Sequence, residues 1–116
     1  MEEQIYDAPQ LTNLYHKDYN GEQFCILDEN TLFISGGMNP RVQVMNNCYM
    51  FNISTNTLVP KENMHEFRHF HGVQKISQRI FAFGGRVGGY PLDSAEVYDI
   101  VQNSWKNLPN MPQGGE

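Results

Sequence analysis

A chain of 116 residues with 40% apolar and 18% charged residues has the composition of a single globular domain, not of a disordered or fibrous protein. Its formal net charge is −5 and its eight basic residues stand singly, so neither nucleic-acid nor anionic-membrane binding is expected. No apolar run approaches the roughly 20 residues of a membrane-spanning helix, and the acidic N-terminus does not resemble a secretory signal. We therefore expect a cytoplasmic or cytoskeletal location.

The first half of the chain predicts one group of four short strands. Residues 1–19 form an N-terminal segment in which 3–6 and 9–11 have the pattern of the end of a strand from a preceding unit. Within residues 20–64, the segments 22–27, 31–35, 47–53 and 57–59 are apolar or alternate in polarity, and turn-forming residues separate them. This pattern predicts an antiparallel sheet.

The second half predicts a second group of four strands within residues 65–112, followed by a tail at 113–116. The strands are expected at 71–76, 79–83, 95–100 and 104–108, with a loop rich in glycine and proline at 86–93. No stretch of useful length repeats its apolar residues every 3.6 positions, so helices are not expected. The predicted fold class is all-β.

The two groups are copies of one unit. The segment at 31–37, which ends in Gly-Gly, recurs at 79–85, a shift of 48 residues. Farther along, Phe51 and Leu58 correspond to Tyr98 and Trp105 at a shift of 47, so one residue is lost in the intervening loop. A period of this size indicates supersecondary units, each of which cannot bury its apolar face alone.

Two sets of residues are predicted to have structural roles in this unit. The glycines end a strand in a crowded region, where a residue without Cβ permits a positive φ and a close backbone approach. The large apolar residues lie on adjacent strands and pack one sheet onto the next. The two sets are Gly36, Gly37, Gly84 and Gly85, and Phe51, Leu58, Tyr98 and Trp105.

The unit contains an apolar run, then Gly-Gly, then Tyr, six further residues and Trp, and finally Pro-x-Met. This order of residues resembles the kelch repeat. The second copy matches throughout, through 80–85, Tyr98, Trp105, Pro109 and Met111, whereas the first has Phe51 and Leu58 in place of Tyr and Trp. The resemblance implies four-stranded antiparallel blades of a β-propeller.

Propellers contain about four to eight blades, so two blades imply an incomplete ring. Three interpretations follow: a piece of a longer propeller, a chain that self-associates or joins a larger assembly, or an open two-blade module. In the first two, further blades or a partner surface cover the exposed sheet faces.

One motif points to a different chemistry. The segment 65–69 reads HExxH, which on a helix would hold zinc beside a glutamate base. Here it follows Pro60, leads into a predicted strand, and has Lys75 at the third ligand position of the extended pattern. A non-catalytic metal site from His65, His69 and His71 is an alternative to ordinary hydrogen-bonded histidines. We predict no catalytic residue, no metal and no cofactor.

The resemblance implies a non-enzymatic protein-interaction module, such as a ubiquitin-ligase substrate receptor, an actin or cytoskeletal binder, or a scaffold. The alternative is an enzyme on a kelch propeller, of galactose-oxidase-like or sugar-isomerase type, which requires residues converging from many blades.

The strand order predicts where a partner would bind. In four-stranded antiparallel blades, the connections between strands two and three and between strand four and the next blade leave the same face. That face would carry loops 38–45, 60–67 and 86–93 and the C-terminal tail. Its candidate partner-binding residues are of types that often anchor partners, namely Arg41, His65, Arg86 and Tyr90. Alternatively, the arginines cap loop carbonyls or pair with nearby acids.

Overall fold

The computed structural model describes residues 6–7, 21–39, 41 and 43–111. Within these ranges the chain forms β-strands and no helix, so no described helix is long and apolar enough to cross a membrane. The all-β prediction is confirmed. The predicted strand end at 9–11 and the tail at 113–116 lie outside the described residues.

The first sheet is antiparallel, and four of its strands follow one another in chain order. It contains β1 (Tyr6–Asp7), β2 (Gln23–Asp28), β3 (Thr31–Ser35), β4 (Cys48–Asn52) and β5 (Thr57–Lys61), in the order β1-β5-β4-β3-β2. The short strand β1 pairs along the outer edge of β5, with Tyr6 opposite Leu58. The sequence pattern assigned residues 3–6 to a strand of a preceding unit. Of these the structure describes Tyr6, which pairs within the first sheet instead, because two residues carry too little periodicity to show their partner.

The second sheet repeats the arrangement. It contains β6 (Gly72–Ile76), β7 (Arg79–Phe83), β10 (Ala95–Asp99) and β11 (Ser104–Leu108), in the order β11-β10-β7-β6. The loop predicted at 86–93 contains a small hairpin of β8 (Arg86–Val87) and β9 (Tyr90–Pro91). Gly88, whose φ is +61°, lies in the two-residue turn between them, and such turns favour a residue that accepts a positive φ.

The apolar core lies between the two sheets. The ring centroid of Phe33 on β3 is 5.1 Å from that of Tyr98 and 6.2 Å from that of Trp105 on the second sheet. Cys48 and Ile80 are buried in the same cluster. The first strands of the two sheets, β2 and β6, also contact each other. The sheets therefore pack face to face with β2 and β6 side by side.

The opposite face of the second sheet has no counterpart among the described elements. Along β7, Ile80 and Ala82 are buried against the first sheet, whereas Phe81 is half-buried and Phe83 is exposed. Phe81 lies 48 residues after Phe33, so its position on the second sheet matches the one that fills the core on the first. This arrangement is that of consecutive blades in an incomplete propeller.

The glycine pairs lie where the backbone passes other chain segments closely. Gly36 has a φ of +66°, and a Cβ built on it would overlap the carbonyl oxygen of Arg68. Gly85 has a φ of +88°, and its Cβ would lie 2.7 Å from the carbonyl oxygen of His69. A side chain at either position would force the connection between the sheets outward.

Candidate protein-interaction face

Two long connections meet at one end of the blades. Residues 36–47 join β3 to β4, and residues 62–71 join β5 to β6. The amide of Gly37 donates to the carbonyl of Arg68 at 2.8 Å, and the amide of Met64 donates to the carbonyl of Asn46 at 2.9 Å. Because all these strands are antiparallel, both connections leave the sheets at the same end.

The corresponding connection of the second sheet joins this surface. Residues 84–94 link β7 to β10, and Arg86 pairs with His69 through two backbone hydrogen bonds of 2.9 and 3.2 Å. The amide of Met111 donates to the carbonyl of Asp93 at 2.7 Å, which repeats the Met64–Asn46 contact one blade later. The described residues of 36–47, 62–71 and 84–94 therefore form one continuous surface, which we call the loop face.

A buried ion pair fixes the loop face to the second sheet. Arg68 and Glu96 are both fully buried, with Nη2 of the arginine 3.1 Å from Oε2 of the glutamate. Nη1 of Arg68 also donates to the carbonyls of Gly84 and Ser94, at 3.0 Å each. Both charges are thus paired and hydrogen-bonded, as burial requires.

The carboxylate of Glu96 also accepts hydrogen bonds from two backbone amides. The amide of His65 donates to one oxygen of Glu96 at 2.8 Å, and that of Glu66 donates to the other at 3.0 Å. Sequence reasoning missed this centre because the first copy gives no matching signal. Tyr49 occupies the position 47 residues before Glu96, and no arginine lies at 19–21, one period before Arg68.

The four sequence-predicted partner residues all lie on the loop face. Arg41 and Arg86 are exposed, and the side chain of neither forms an ion pair or hydrogen bond in the part of the chain that the structure describes. Tyr90, at the tip of the β8–β9 hairpin, is 78% exposed. His65 is about half exposed, and its Nδ1 lies 2.7 Å from Oδ1 of Asn107. Two cations without a partner among the described residues and an exposed aromatic ring therefore lie on this face.

The HExxH segment lacks the geometry that zinc requires. Residues 65–69 are not helical, and His65 is hydrogen-bonded at the surface whereas His69 is buried beneath it. Among the residues that the structure describes, neither ring nitrogen of His69 has a hydrogen-bond partner. Among the described residues, no three histidines, cysteines, aspartates or glutamates are arranged to hold a metal ion, so His65, His69 and His71 do not converge.

His71 joins the two sheets at the start of β6. It is 3% exposed, and its Nε2 lies 2.8 Å from Oγ of Ser35 at the end of β3. Burial, together with the nearby positive charge of Arg68, lowers the pKa of His71 to about 3. The imidazole is therefore neutral over the physiological range.

The aromatic residues of the second copy also hold the chain leaving β5. The indole Nε1 of Trp105 donates to the carbonyl of Glu62 at 2.8 Å. Oδ1 of Asn103 accepts from both the hydroxyl of Tyr98 and the amide of Glu62, at 2.5 and 2.9 Å. These polar groups fix the connection between the blades in addition to the apolar area that the rings bury.

The first copy cannot form equivalent side-chain contacts, because Phe51 has no hydroxyl and the side chain of Leu58 has no N–H group. Phe51 is half-buried and Leu58 is fully buried. The two blades therefore share the same order of strands, but only the second blade has these side-chain hydrogen bonds to the chain that follows β5.

Two further aromatic side chains on the loop face were missed. Phe67 is 49% exposed and Phe70 is 59% exposed, on the connection between β5 and β6. The intervening Arg68 and His69 are both buried, so the exposed and buried residues here do not follow the one-by-one alternation of a strand. Because periodicity assigns burial within regular strands, it gave no indication of which of these residues are exposed.

The fold and the repeat define the class of protein. Two antiparallel sheets, each with four main strands paired in chain order, pack face to face with β2 beside β6 and are blades of a β-propeller. The family model for the Kelch motif matches residues 68–112. Together with the relatives described next, this match shows that the chain belongs to the kelch-repeat family.

The chain is similar to several curated proteins. It is 37% identical over 79 residues to Kelch-like protein 7 of Rattus norvegicus, covering 68% of the chain and 14% of that protein. It is 33% identical over 84 residues to Kelch repeat and BTB domain-containing protein 2 of Ectromelia virus (strain Moscow), covering 72% and 15%. It is 30% identical over 113 residues to Kelch repeat-containing protein kel-10 of Caenorhabditis elegans, covering 93% and 18%. The chain thus spans less than a fifth of each relative.

Proposed function

We propose that the chain is a non-enzymatic protein-interaction module and that its loop face binds a partner protein. The observation that carries this proposal is the continuous surface built by three hydrogen-bonded connections, on which Arg41 and Arg86 present charges that pair with no other side chain in the described ranges. Tyr90 adds an exposed aromatic ring at the hairpin tip. Arginine and tyrosine are enriched among the residues that dominate binding energy.

The relatives favour this function over a kelch-propeller enzyme. They carry kelch-like names, and one is named for a BTB domain as well as for kelch repeats. By resemblance to these families, the proposed roles are substrate recognition for a ubiquitin ligase or binding to the cytoskeleton, in the cytoplasm. Neither nucleic acid nor membrane is a proposed partner, because the eight basic residues stand singly in a chain of net charge −5.

The proposed domain organisation is two kelch repeats, at 20–64 and 65–112, flanked by an N-terminal segment at 1–19 and a tail at 113–116. The family-model match at 68–112 supports the second repeat. The repeated Met64–Asn46 and Met111–Asp93 contacts support a common period.

Proximity labelling in cells tests the proposed binding face. The full chain carries the labelling enzyme, and the Arg41→Ala/Arg86→Ala double variant is compared with Glu29→Ala. Glu29 is exposed in the β2–β3 turn, at the end of the first sheet opposite the loop face, so it controls for a general effect of changing a surface charge. We expect the double variant to lose specific neighbours that Glu29→Ala retains. Equal labelling by both variants would contradict the proposal.

We also propose that the open face of the second sheet is covered by a further blade, a second copy or a larger assembly. Phe83 and Leu108 lie opposite Ala95 in register on this face, and Phe81 lies opposite Val97. Such a surface favours association in water. In sedimentation velocity the isolated chain should self-associate. A compact monomer with a cooperative melt at micromolar concentration would contradict this expectation.

A further inference from the structure

The outer edge of the second sheet is open in the part of the chain that the structure describes. The strand order of this sheet is β11-β10-β7-β6, so β11 pairs with β10 on one side and with no described strand on the other. The first sheet differs at the corresponding place, because β1 pairs antiparallel with the outer edge of β5. An open edge presents unpaired N–H and C=O groups, which form a template for a further strand.

The repeat shows that the two edges have the same backbone geometry. Residues 53–56 join β4 to β5, and residues 100–103 join β10 to β11. The last residue of each turn is an asparagine with a left-handed φ, +60° at Asn56 and +52° at Asn103. Leu58, which lies opposite Tyr6 of β1, is equivalent to Trp105. A strand placed on β11 would therefore meet the arrangement of backbone groups that β1 meets on β5.

Pro60 identifies which backbone groups face outward. Proline has no N–H group, yet Pro60 lies within the β5 ladder opposite Tyr49, so the missing N–H is one that would point to the outer edge. Successive N–H groups of a strand point alternately to its two sides. The equivalent of Pro60, 47 residues later, is Asn107. The N–H groups of Trp105 and Asn107 therefore point away from β10, and β11 keeps a donor that β5 lacks.

The residue between these two donors is a lysine. Lys106 is exposed and forms no ion pair or hydrogen bond within the described ranges, whereas Val59 occupies its position in the first copy. Two β11 strands in full antiparallel register would place Lys106 of one copy opposite Lys106 of the other. Like charges that lie directly opposite each other destabilise a sheet, and a lysine on an edge strand discourages such self-pairing. A strand with a carboxylate at that position is attracted instead.

We propose that the outer edge of β11 binds an extended segment of a partner protein, which adds a fifth strand to the second sheet. This segment pairs antiparallel through the backbone of Trp105 and Asn107 and places an Asp or Glu side chain opposite Lys106. In this mode the main-chain hydrogen bonds supply affinity and the facing side chains supply selectivity. The five-stranded first sheet is the precedent. Because the site is a strand edge and not the loop face, it goes beyond the proposed function.

The first test measures amide hydrogen exchange in the full chain by NMR. In the free chain, the N–H groups of Trp105 and Asn107 should exchange at least about tenfold faster than that of Lys106, which points to β10. Equal protection of the three amides would show that the edge is already covered in the free chain, which would overturn the proposal.

The second test selects peptides for the edge. Twelve-residue peptides displayed on phage are depleted on the immobilised Asn107→Pro variant and then selected on the wild-type chain. Asn107→Pro copies Pro60 of the first sheet, so it removes the outward N–H group and leaves the ladder to β10 intact. The enriched peptides should alternate in polarity and carry Asp or Glu, as a strand opposite Lys106 requires.

The most enriched peptide is synthesised and titrated by fluorescence polarisation. Asn107→Pro should weaken its Kd about tenfold, because one main-chain hydrogen bond is lost. Asn107→Ala is the matched control, since it also loses the side-chain contact with His65 but keeps the N–H group, and it should bind as wild type. Saturation with the peptide should slow the exchange of the Trp105 amide at least about tenfold.

A second variant keeps the proposal testable if circular dichroism shows that Asn107→Pro does not fold. Lys106→Glu changes an exposed side chain and should weaken the Kd about fivefold, because attraction to the acidic residue becomes repulsion. A peptide in which Lys replaces that acidic residue should recover the lost affinity for Lys106→Glu. Equal affinity of both peptides for both chains would contradict the proposed register.

The remaining outcomes separate this inference from the proposed function. If the Arg41→Ala/Arg86→Ala double variant binds the peptide as wild type, the edge acts independently of the loop face, as proposed. If that variant loses the peptide and the Trp105 amide is not slowed, the peptide occupies the loop face and the edge proposal is wrong. If no peptide is enriched, the edge proposal is also wrong, and the loop face is unaffected. If Asn107→Pro abolishes self-association in sedimentation velocity, the occupant is a second copy, which overturns the proposal.

Discussion

His71 should make the fold sensitive to mild acid. Burial lowers its pKa in the folded chain to about 3, whereas an unfolded histidine has a pKa of about 6.5. Above pH 6.5 both states are neutral, and the group contributes no pH dependence. Below pH 6.5 the imidazole of His71 binds a proton in the unfolded state but stays neutral in the folded state. The unfolding free energy therefore falls as the pH falls towards about 3. Between pH 7.5 and pH 5 this single group should remove about 2 kcal/mol of unfolding free energy.

The measurement compares the wild-type chain with His71→Gln, which keeps a side chain able to hydrogen-bond Ser35. Urea unfolding is followed by the fluorescence of Trp105, the single tryptophan, at pH 8.5, 7.5 and 5.0. From pH 7.5 to 5.0 the variant should lose about 2 kcal/mol less than wild type, since all other titrating groups are common to both. Between pH 8.5 and 7.5 the two should change alike. Equal losses on acidification would refute the reasoning from burial.

Three further predictions concern the blade interface and the HExxH segment. Trp105→Ala should lower the unfolding free energy by about 3–5 kcal/mol, measured by urea unfolding followed by circular dichroism, because it removes a buried aromatic side chain. Acrylamide quenching that shows a solvent-exposed Trp105 would contradict the blade assignment. Arg68→Ala should cost about 3–5 kcal/mol by the same assay, because Glu96 is left as an unpaired buried charge. The Arg68→Met/Glu96→Leu double variant should recover most of that loss, and no recovery would contradict the role of the charge. Glu66→Ala should change the unfolding free energy by less than about 0.5 kcal/mol. The purified chain should contain no stoichiometric zinc by elemental analysis, and its Tm should be the same with and without chelator; tight one-to-one zinc would contradict this.

The candidate site was only partly predictable from the sequence. Antiparallel strand order alone predicts that the strand connections leave at one end, and the described connections do meet there. The exposure of residues on these connections was not predictable, because the connections are not regular strands. The burial of each residue there depends on which other chain segments pack against it. Phe70 illustrates this limit, since its left-handed backbone and exposed ring emerge only when β6 and its preceding connection are placed against Gly21.

By itself, the sequence determined the all-β class, the eight main strands and the period of about 48 residues. These features are local: strands end where turn residues interrupt an apolar pattern, and a repeat of Gly-Gly followed by two large apolar residues at a fixed spacing is visible without knowledge of contacts. The tertiary structure decided which groups meet across long separations. Arg68 and Glu96 are 28 residues apart and lack counterparts in the first copy, so no periodic signal marks them. The pairing of β1 with β5 is also a tertiary contact. A two-residue strand pairs with whichever sheet edge lies beside it in the folded chain, and here that edge is β5.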